Sequence, residues 1–507
     1  MKLEISRRQL LVLLASFPAW YTLNAFAQSK RGGQGRGGKQ KRADYNLPSN
    51  LAEFAGLSLV LGRASNNSVT ISAVSREGHE AYFEYGTKVG SYSGKTDVAT
   101  LAPGEPVETV LGSLKPNTQY FYRLHFRKAG EATFAVRAEK SFHTQRTAGS
   151  TFTFGIQGDS HPERAFMSDP NLYARTLQNA AATPPDFYIC MGDDFSISTL
   201  QTIDAESVAG RYTLQRPFLG LIGQTAPIFL LNGNHEQASL FNYDQTDDRH
   251  QAAVLAQTAR NKYFPTIAPD GFYTGNTKSL DAIGPLKDYY AWTWGDALFV
   301  VLDNYWHSKE QVDSGLHDKG GGKGADGGGG KQKRDLWGVT LGEEQYQWFK
   351  KTLESSKAKY KFVFAHHVLG TQRGGVDVAH LYEWGGHDKN GEFRFKEMRP
   401  GWEKPIHDLM VKHGVTIFFQ GHDHLFCKQE KDGVIYQEVP MPADQGYLAY
   451  NEDRYGSGVK LPNSGHLRVT VSPDDVKVDY VRCYLPADET ADKKTGQIAH
   501  SYSVTAK

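Results

Sequence analysis

Cysteine is scarce in this chain of 507 residues, which has only Cys190, Cys427 and Cys483. So low and odd a count excludes a disulfide framework. Cys190 lies in the apolar run 187–191 and is expected to be a buried thiol, whereas a bridge between Cys427 and Cys483 stays open. Net charge is also small, at +1, so the composition gives no reason to expect a nucleic-acid or anionic-membrane partner. The sequence also has no nucleic-acid-binding motif.

Long uninterrupted apolar runs are lacking too. The apolar stretch that follows Arg7-Arg8 is broken by Pro18 and Asn24 and ends at Ala25-Phe26-Ala27, a small-x-small cleavage pattern. This predicts a cleaved twin-arginine-type signal peptide over residues 1–27. The alternatives are an uncleaved anchor or a buried helix. We therefore expect an exported, periplasmic or extracellular protein with no transmembrane span after cleavage.

Two segments are rich in Gly, Lys, Arg and Gln and have no apolar face. Residues 28–50 are interpreted as a flexible linker, and residues 319–334 as an insertion. The sequence Gly-Gly-Lys-Gln-Lys-Arg occurs in both segments, at residues 37–42 and 329–334. Both are expected to be solvated arms; the alternative is a pair of basic arms that touch an acidic polymer or the cell surface.

Residues 51–147 alternate short β-type runs with polar turns. In the strongest piece, Pro116-Asn117 makes a turn and Tyr120-Phe121-Tyr122 begins the next strand. This segment resembles a fibronectin type III domain, which implies a small all-β sandwich. It contains no cluster of catalytic residue types, so packing beside a catalytic domain or binding a partner is its expected role.

Residues 150–486 change to strand–helix alternation, which is typical of an α/β fold. Several apolar runs end in a turn that carries polar side chains of the metal-binding type. These turns are Gly158-Asp159-Ser160-His161, Gly192-Asp193-Asp194, Gly233-Asn234-His235-Glu236, Ala365-His366-His367 and Gly421-His422-Asp423-His424. A hairpin over 465–471 and 476–481 closes the domain, and residues 487–507 are expected to be a mobile polar tail.

The side chains in these turns suit borderline divalent metals such as Zn, Mn, Fe or Co. They provide more donors than one metal needs, so two ions are expected. Two metals about 3.5–4 Å apart clamp the attacking and leaving oxygens of an in-line displacement. A shared carboxylate can bridge them, and a water held by both is acidic enough to attack as hydroxide near neutral pH.

The five turns, in this order, resemble the calcineurin-like metallophosphoesterase superfamily. The resemblance implies a sandwich of two mixed β-sheets flanked by helices, and the preceding fibronectin-like domain is similar to the arrangement in purple acid phosphatases. It also implies a role for each residue. Asp159, His161 and His424 would hold one metal, Asn234, His366 and His422 the other, Asp193 would bridge, and His235 would act beside the transferring phosphoryl group.

The sequence differs from that of purple acid phosphatases at one position that bears on the type of metal. Purple acid phosphatases have a tyrosine three residues after the bridging aspartate, and here that position is Ser196. Serine cannot supply the phenolate that binds ferric iron. The protein should therefore not be purple, and a ferric–divalent pair is in doubt.

Five further residues are candidates to support the ligands or to contact the substrate. They are Asp194, Glu236, His367, Arg373 and Tyr447. Glu236 is expected to orient a neighbouring histidine rather than to catalyse. His367 could face the substrate or pack behind the metals. Arg373 could pair with a phosphate or be a solvated loop arginine, and Tyr447 could stack on a leaving group or pack.

The sequence therefore predicts an exported, dimetal phosphoric-ester hydrolase that acts on a small phosphate ester. A phosphomonoesterase of acid or alkaline phosphatase type is favoured by the fibronectin-like companion, with a phosphodiesterase or nucleotide-directed hydrolase as the alternative. A non-catalytic cell-surface binding protein is a third interpretation. It is disfavoured because a family member that has lost its activity tends to lose such residues, and this chain keeps Asp193, Asn234 and His235.

Overall fold

A computed structural model describes residues 48, 51, 56–312, 336–368 and 373–506. The predicted signal peptide, the insertion 319–334 and all but Pro48 of the linker 28–50 lie outside these residues. The described part belongs to one compact unit. Within it, no helix is both long enough and apolar enough to cross a membrane.

The N-terminal part of the described chain is all-β. Its strands are β1 (Leu57–Gly62), β2 (Val69–Ser75), β3 (His79–Gly86), β4 (Gly94–Lys95), β5 (Ala99–Leu101), β6 (Pro106–Leu111), β7 (Gln119–Lys128), β8 (Ala135–Val136) and β9 (Lys140–His143). One sheet has the order β1-β2-β6; the other has the order β4-β3-β7-β8, with β5 on β3 and β9 on β7. The hydroxyl of Tyr120 accepts a hydrogen bond from the Lys115 amide at 2.9 Å and so fixes the turn that the sequence predicts there. The likeness to fibronectin type III stays a prediction.

The larger part of the chain is mixed α/β, as the sequence predicts. Its strands are β10 (Phe152–Gln157), β11 (Phe187–Cys190), β12 (Ile228–Leu230), β13 (Thr274–Gly275), β14 (Ser279–Leu280), β15 (Gly284–Pro285), β16 (Tyr290–Trp294), β17 (Ala297–Val301), β18 (Tyr360–Phe364), β19 (Ile417–Gln420), β20 (Phe426–Lys431), β21 (Val434–Glu438), β22 (Val459–Leu461), β23 (Gly465–Val471), β24 (Asp475–Arg482) and β25 (Ile498–Thr505). They form sheets of order β12-β11-β10-β23-β24-β25 and β13-β16-β17-β18-β19-β21-β20-β22, and β14 pairs with β15.

The core lies between the two large sheets and is rich in phenylalanine. Phe154 of the first sheet contacts Phe299 of the second edge-to-face, with ring centroids 5.1 Å apart. Phe364 and Phe419 stack at 5.0 Å on adjacent strands. These buried apolar runs hold β10, β11, β17, β18 and β19 in place, and polar turns follow each of them.

Helices cover the outer faces of the sheets. They are α1 (Pro170–Ala182), α2 (Ala205–Gly223), α3 (Leu240–Tyr243), α4 (Asp248–Tyr263), α5 (Gly342–Ser355), α6 (Tyr382–Gly385), α7 (Phe395–Met398) and α8 (Ile406–Lys412). Helix α1 begins where the Asp169 carboxylate accepts from the amides of Asn171 and Leu172, with Pro170 at the first position.

A buried arginine joins the all-β region to the α/β domain. Arg216 of α2 is 1 % exposed and donates to Ser58 Oγ at 2.9 Å and to the Ser72 carbonyl at 2.7 Å, as well as to the Tyr263 carbonyl. Burial lowers the pKa of Arg216 to about 9. The guanidinium satisfies backbone and hydroxyl oxygens of β1 and β2, which fixes the all-β region against α2.

The end of the chain differs from the expected mobile tail. Strand β25 pairs antiparallel with β24 and extends the first sheet. Alternate residues face the sheet, and Tyr502 and Val504 pack against the core while their neighbours are exposed. All three cysteines are free and buried, so Cys427 and Cys483 do not form a bridge.

Candidate metal centre and active site

The predicted ligands converge because each follows a parallel strand at its carboxyl end. Strands β10, β11 and β12 are parallel in one sheet, and β17, β18 and β19 are parallel in the other. The turns after them carry Asp159 and His161 (β10), Asp193 (β11), Asn234 (β12), His366 (β18), and His422 and His424 (β19). Parallel strands deliver their carboxyl ends to the same edge of a sheet, where open α/β folds place their sites.

The converging side chains form two groups with one member in common. Asp159, His161, Asp193 and His424 offer ligand atoms that all lie within 4.8 Å of one another, and Asp193, His366 and His422 form a second such group. Apart from Asn234, these are the residues to which the family resemblance assigns two metals. Asp193 belongs to both, as a bridging carboxylate would.

Distances around Asp193 fit that position. Its Oδ2 lies 3.6 Å from His161 Nε2 and 3.4 Å from His366 Nε2. Its Oδ1 accepts a hydrogen bond from the His235 amide at 2.8 Å. One oxygen therefore faces both groups, while the other holds the backbone of the loop after β12.

Asn234 completes the second group. Its side-chain oxygen lies 3.1 Å from His366 Nε2 and 3.0 Å from His422 Nδ1. An amide oxygen between two imidazole nitrogens is a further donor for a borderline divalent ion.

Backbone conformation at these turns is costly and specific. His161, Asp193, His422 and His424 have positive φ angles of 39°, 58°, 77° and 58°. A residue with a side chain in this left-handed conformation raises the free energy of the folded state by about 1–2 kcal/mol. Gly233 has to be glycine, because a Cβ there would lie 2.3 Å from Asp193 Oδ1. Strain of this kind persists where the surrounding structure demands a particular side-chain direction.

Hydrogen bonds behind the histidines leave their inner nitrogens available. His366 Nδ1 donates to the Met191 carbonyl at 2.8 Å, which leaves Nε2 toward Asp193. His161 Nδ1 lies 3.0 Å from the Ser196 hydroxyl, which can accept its proton. Among the described residues, neither His161 Nε2 nor Asp159 Oδ1 has a hydrogen-bond partner, although both are buried. Buried donors and acceptors are rarely left unpaired, so the residues present fit a metal centre.

The charge balance of the site also favours a cation. Burial opposes ionisation, but the neighbouring histidines outweigh it and hold the pKa of Asp193 well below its usual range and the pKa of Asp159 below its usual value. Burial also disfavours charge on His366, yet Asp193 and Asp159 raise its pKa to about 10. Burial and the charge of Arg164 push the pKa of His161 well below its usual value, which keeps it neutral as a ligand must be.

The carboxylates of Glu236 and Asp194 form hydrogen bonds with residues next to the predicted ligands. The Glu236 carboxylate accepts four backbone hydrogen bonds, from the amides of Gly233, Asp193, Asp194 and Phe195. It therefore fixes the loops after β11 and β12. The expectation that it orients a histidine ring is wrong, because these amides occupy both carboxylate oxygens. Burial, with the Asp193 charge, raises the pKa of Glu236 to about 7. Asp194 faces away from the metal groups, where its Oδ1 accepts from Gln157 at 2.9 Å and from Ser160 at 2.6 Å.

His235 lies at the open side of the site. Its side chain is 19 % exposed, and its Nε2 is 3.9 Å from Asp193 Oδ2. Its Nδ1 lies 2.7 Å from Arg164 Nη2 and 2.6 Å from Ser198 Oγ. This arrangement directs Nε2 to the region where a substrate phosphoryl group would meet the two metal groups.

The other candidate residues have structural partners. His367 is 3 % exposed, and its ring centroid is 5.1 Å from that of His422. Arg373 donates to the His422 carbonyl at 2.5 Å and to Asp423 at 2.8 Å, so it braces the turn that carries His422. The Tyr447 hydroxyl donates to Asp488 at 3.0 Å and accepts from the Leu485 amide at 2.9 Å, near the end of the chain.

A third group of possible ligands consists of Asp288, Asp303 and His307. Asp288 bonds Asn276 at 2.7 Å and His307 at 2.9 Å, and Asp303 bonds Asn232 at 2.8 Å and the Trp306 amide at 3.0 Å. Each carboxylate oxygen of this group therefore has a hydrogen-bond partner, which makes it a satisfied buried network.

No sequence motif predicts Arg164, Glu163 and Ser198, which lie beside His161 and His235. The only signal was position: Glu163 and Arg164 follow the Asp-x-His motif directly, and Ser198 follows the turn after β11. The contacts of Arg164 and Ser198 with His235 span 71 and 37 residues of sequence, respectively, which no local pattern reveals.

Comparisons with known proteins identify the family of the chain. A family model described as calcineurin-like phosphoesterase matches residues 152–426. No curated protein matches the chain. Among solved structures, PhoD is similar at a TM-score of 0.59 and 14 % identity, with 88 % of each chain covered; at this identity the likeness shows the fold alone. GAP50, the anchor in the inner membrane complex of Plasmodium, is similar at 0.38 and 11 %, covering 70 % of this chain and 89 % of GAP50. Phosphopantetheinyl hydrolase of Mycobacterium tuberculosis is similar at 0.28 and 14 %, covering 58 % and 91 %.

Proposed function

The chain belongs to the calcineurin-like phosphoesterases, which makes it a metal-dependent phosphoester hydrolase, and we propose that it is an exported enzyme that uses two metal ions and prefers phosphomonoesters. The observation that carries the two-metal part is the position of Asp193. It is the member shared by the two ligand groups, and its Oδ2 lies between His161 Nε2 and His366 Nε2.

Each residue of the site has a proposed role. One ion would be held by Asp159, His161 and His424. The other ion would be held by Asn234, His366 and His422, and Asp193 would bind both ions. Two bound ions would supply an acidified water for attack and positive charge for the phosphoryl oxygens. His235 presents Nε2 from the open side, where it can donate to a phosphoryl or ester oxygen as charge develops there.

The preference for monoesters is supported by the resemblance of the all-β region to the companion domain of purple acid phosphatases. Ser196 supports a colourless, non-ferric site, since its hydroxyl lies beside His161 Nδ1 and no phenolate is available at that position. A phosphodiesterase on the same residues is the alternative.

Relative turnover of two esters tests this proposal. p-Nitrophenyl phosphate and bis(p-nitrophenyl) phosphate would be supplied to the purified protein, with metal content determined on the same preparation. We expect faster monoester turnover and about two metals per chain. Faster diester turnover would make the protein a phosphodiesterase, and full activity with one metal per chain would contradict the two-metal proposal.

Export is supported by Arg7-Arg8 and the cleavage pattern before Gln28. Cell fractionation of a strain that expresses the full chain tests it, with an Arg7→Lys, Arg8→Lys double variant as the matched control. We expect the processed protein outside the cytoplasm and the double variant retained as precursor. Cytoplasmic location of the unaltered protein would contradict export.

A further inference from the structure

We propose that Arg164 is a positioning residue for His235: its guanidinium occupies Nδ1 of that ring and so fixes the proton on Nε2, facing the metal groups. The inference deepens the proposed function and rests on it for the role of His235. It does not depend on which ester is the substrate.

The contact itself determines the direction of the hydrogen bond. Arg164 Nη2 lies 2.7 Å from His235 Nδ1. A guanidinium has donors only and stays protonated, so the ring nitrogen has to accept. A neutral imidazole that accepts at Nδ1 carries its proton on Nε2. That nitrogen is 3.9 Å from Asp193 Oδ2, on the side of the predicted metals.

A second group reinforces this tautomer. Ser198 Oγ lies 2.6 Å from the same Nδ1. With Arg164 as a donor there, the hydroxyl also has to donate. Ser198 belongs to the short 3-10 turn Ile197–Thr199, which follows the Asp193 loop. Two donors from separate segments therefore converge on one nitrogen of His235.

Arg164 is itself held in place. Its side chain is 14 % exposed, and its Nε lies 3.4 Å from Glu163 Oε1. The Glu163 side chain is 2 % exposed, and within the described ranges neither of its carboxylate oxygens forms a hydrogen bond. An isolated buried carboxylate would be unfavourable. The Arg164 charge and the buried Glu163 carboxylate therefore stabilise each other.

The backbone around Arg164 ties this arrangement to a metal ligand. The Arg164 amide donates to the His161 carbonyl at 3.0 Å, and the Arg164 carbonyl accepts from the amides of Met167 and Ser168 at 3.0 and 2.9 Å. The turn that carries the ligand His161 thus also delivers the arginine. A metal ligand and the orientation of His235 are set by one short segment.

A double-mutant cycle tests whether Arg164 acts through His235. Turnover of p-nitrophenyl phosphate by the metal-loaded enzyme would be compared for Arg164→Met, His235→Ala and the double variant. We expect His235→Ala to lower kcat about 1,000-fold and Arg164→Met about 100-fold, at the lower end of the usual range for acid–base groups. The double variant should be no slower than His235→Ala, since residues that act as a unit are not additive. Full additivity would mean that Arg164 acts independently, and would overturn the inference.

Three further variants distinguish a positioning role of Arg164 from a general effect of losing an arginine. Arg175→Met removes a half-buried guanidinium on α1 that pairs with Glu489 at 2.8 Å, away from the site; we expect unchanged turnover. Arg164→Lys keeps the charge but loses the planar fork, and should recover only part of the activity. Free guanidinium at a non-denaturing concentration should partly restore Arg164→Ala, which leaves space for the ion, and leave His235→Ala unchanged. A lack of restoration together with full additivity would leave a direct role for Arg164 in phosphate binding.

The ring tautomer can be measured without any turnover. Nitrogen-15 NMR of histidine-labelled protein distinguishes a protonated from an unprotonated ring nitrogen, and the spectrum of His235→Ala identifies the His235 signals. We expect Nε2–H with unprotonated Nδ1 in the unaltered protein and a loss of this single form in Arg164→Met, which has no donor for Nδ1. A proton on Nδ1 in the unaltered protein would refute the inference even in an active enzyme. The expected tautomer in a protein that hydrolyses neither ester would instead refute the proposed function.

Discussion

Ser196 Oγ lies 3.0 Å from Nδ1 of His161, and the serine is fully buried. This is the position at which the resemblance to purple acid phosphatases leads one to look for a metal-binding tyrosine. Here the side chain contacts the predicted ligand His161 instead. A partner at Nδ1 fixes the ring and leaves Nε2 for the ion, as outer partners of metal-bound histidines do.

Ser196→Ala should therefore weaken metal binding without unfolding the protein. Loss of such a partner lowers metal affinity by about 10- to 100-fold. Titration of the metal-free protein with Zn²⁺ or Mn²⁺ measures this. Ser207→Ala is the control, because the Ser207 hydroxyl accepts from the amide of Asp204 at the start of α2. Equal affinities for the Ser196 variant and the unaltered protein would contradict the role of Ser196.

Asp193→Asn should remove activity and reduce metal content. The amide replaces the one carboxylate that both ligand groups share, so its charge and its ability to bridge are lost together. We expect turnover to fall by a factor on the order of 10³ or more, comparable to the loss of a major charge-stabilising group. Activity on p-nitrophenyl phosphate and elemental analysis check it.

Asp194→Asn is the matched control for that experiment. Burial raises the pKa of Asp194 well above its usual value, so the neutral amide resembles the form already favoured there. Its contacts are with Gln157 and Ser160 rather than the metal groups. A loss as large as that of Asp193→Asn would show that the two carboxylates are not distinguished by their positions.

Glu236→Gln should destabilise the fold and the site together. The carboxylate accepts from four amides at 2.8–3.2 Å, whereas glutamine would turn an NH₂ group toward two of them. Hydrogen bonds to charged groups contribute about 1.5–3 kcal/mol each, so we expect unfolding in urea to cost about 3 kcal/mol less. Glu344→Gln, at an exposed position on α5, is the control. An unchanged urea midpoint for Glu236→Gln would contradict this.

The parts of the site that sequence could predict are those that follow buried strands. The runs before Asp159, Asp193 and His366 are apolar enough to be strands in a sheet core, and parallel strands bring their ends together. The polar residues directly after them therefore had to meet. This is why the sequence alone predicts that the proposed ligand residues lie close together.

The parts that could not be predicted depend on contacts between distant segments. Glu236 was expected to orient a ring, but four backbone amides from two loops reach it first. Arg164 and His235 meet only because the turns after β10 and β12 are adjacent in space. Strand β25 was missed because only alternate residues such as Tyr502 and Val504 are partly buried, which leaves the segment polar in composition.

Arg216→Met should loosen the junction between the all-β region and the α/β domain. Without the guanidinium, oxygens of Ser58, Ser72 and Tyr263 lose a buried donor, and each unsatisfied group costs about 1–3 kcal/mol. We expect a lower thermal midpoint while metal binding is retained. Arg211→Met, on the same helix with a bond to Thr199 at an exposed site, should change the midpoint little. Equal midpoints for the two variants would show that the junction does not depend on Arg216.

His466 should make stability fall with pH below neutrality. It is 4 % exposed in β23, and burial, together with the charge of Arg468, lowers its pKa to about 3. In the unfolded chain its pKa is about 6.5. Between these values the unfolded state binds one more proton, so the free energy of unfolding decreases as pH falls, by about 1.4 kcal/mol per unit. At pH 5 the protonation of this single histidine in the unfolded state should lower the free energy of unfolding by about 2 kcal/mol relative to neutral pH.

Urea unfolding at pH 7.5 and pH 5 measures the difference for the unaltered protein, for His466→Gln and for His380→Gln, which removes an exposed histidine. Only His466→Gln should flatten the pH dependence, because comparing two pH values for each variant cancels any general destabilisation by the substitution. Parallel pH dependence in all three proteins would mean that His466 becomes protonated in the folded state.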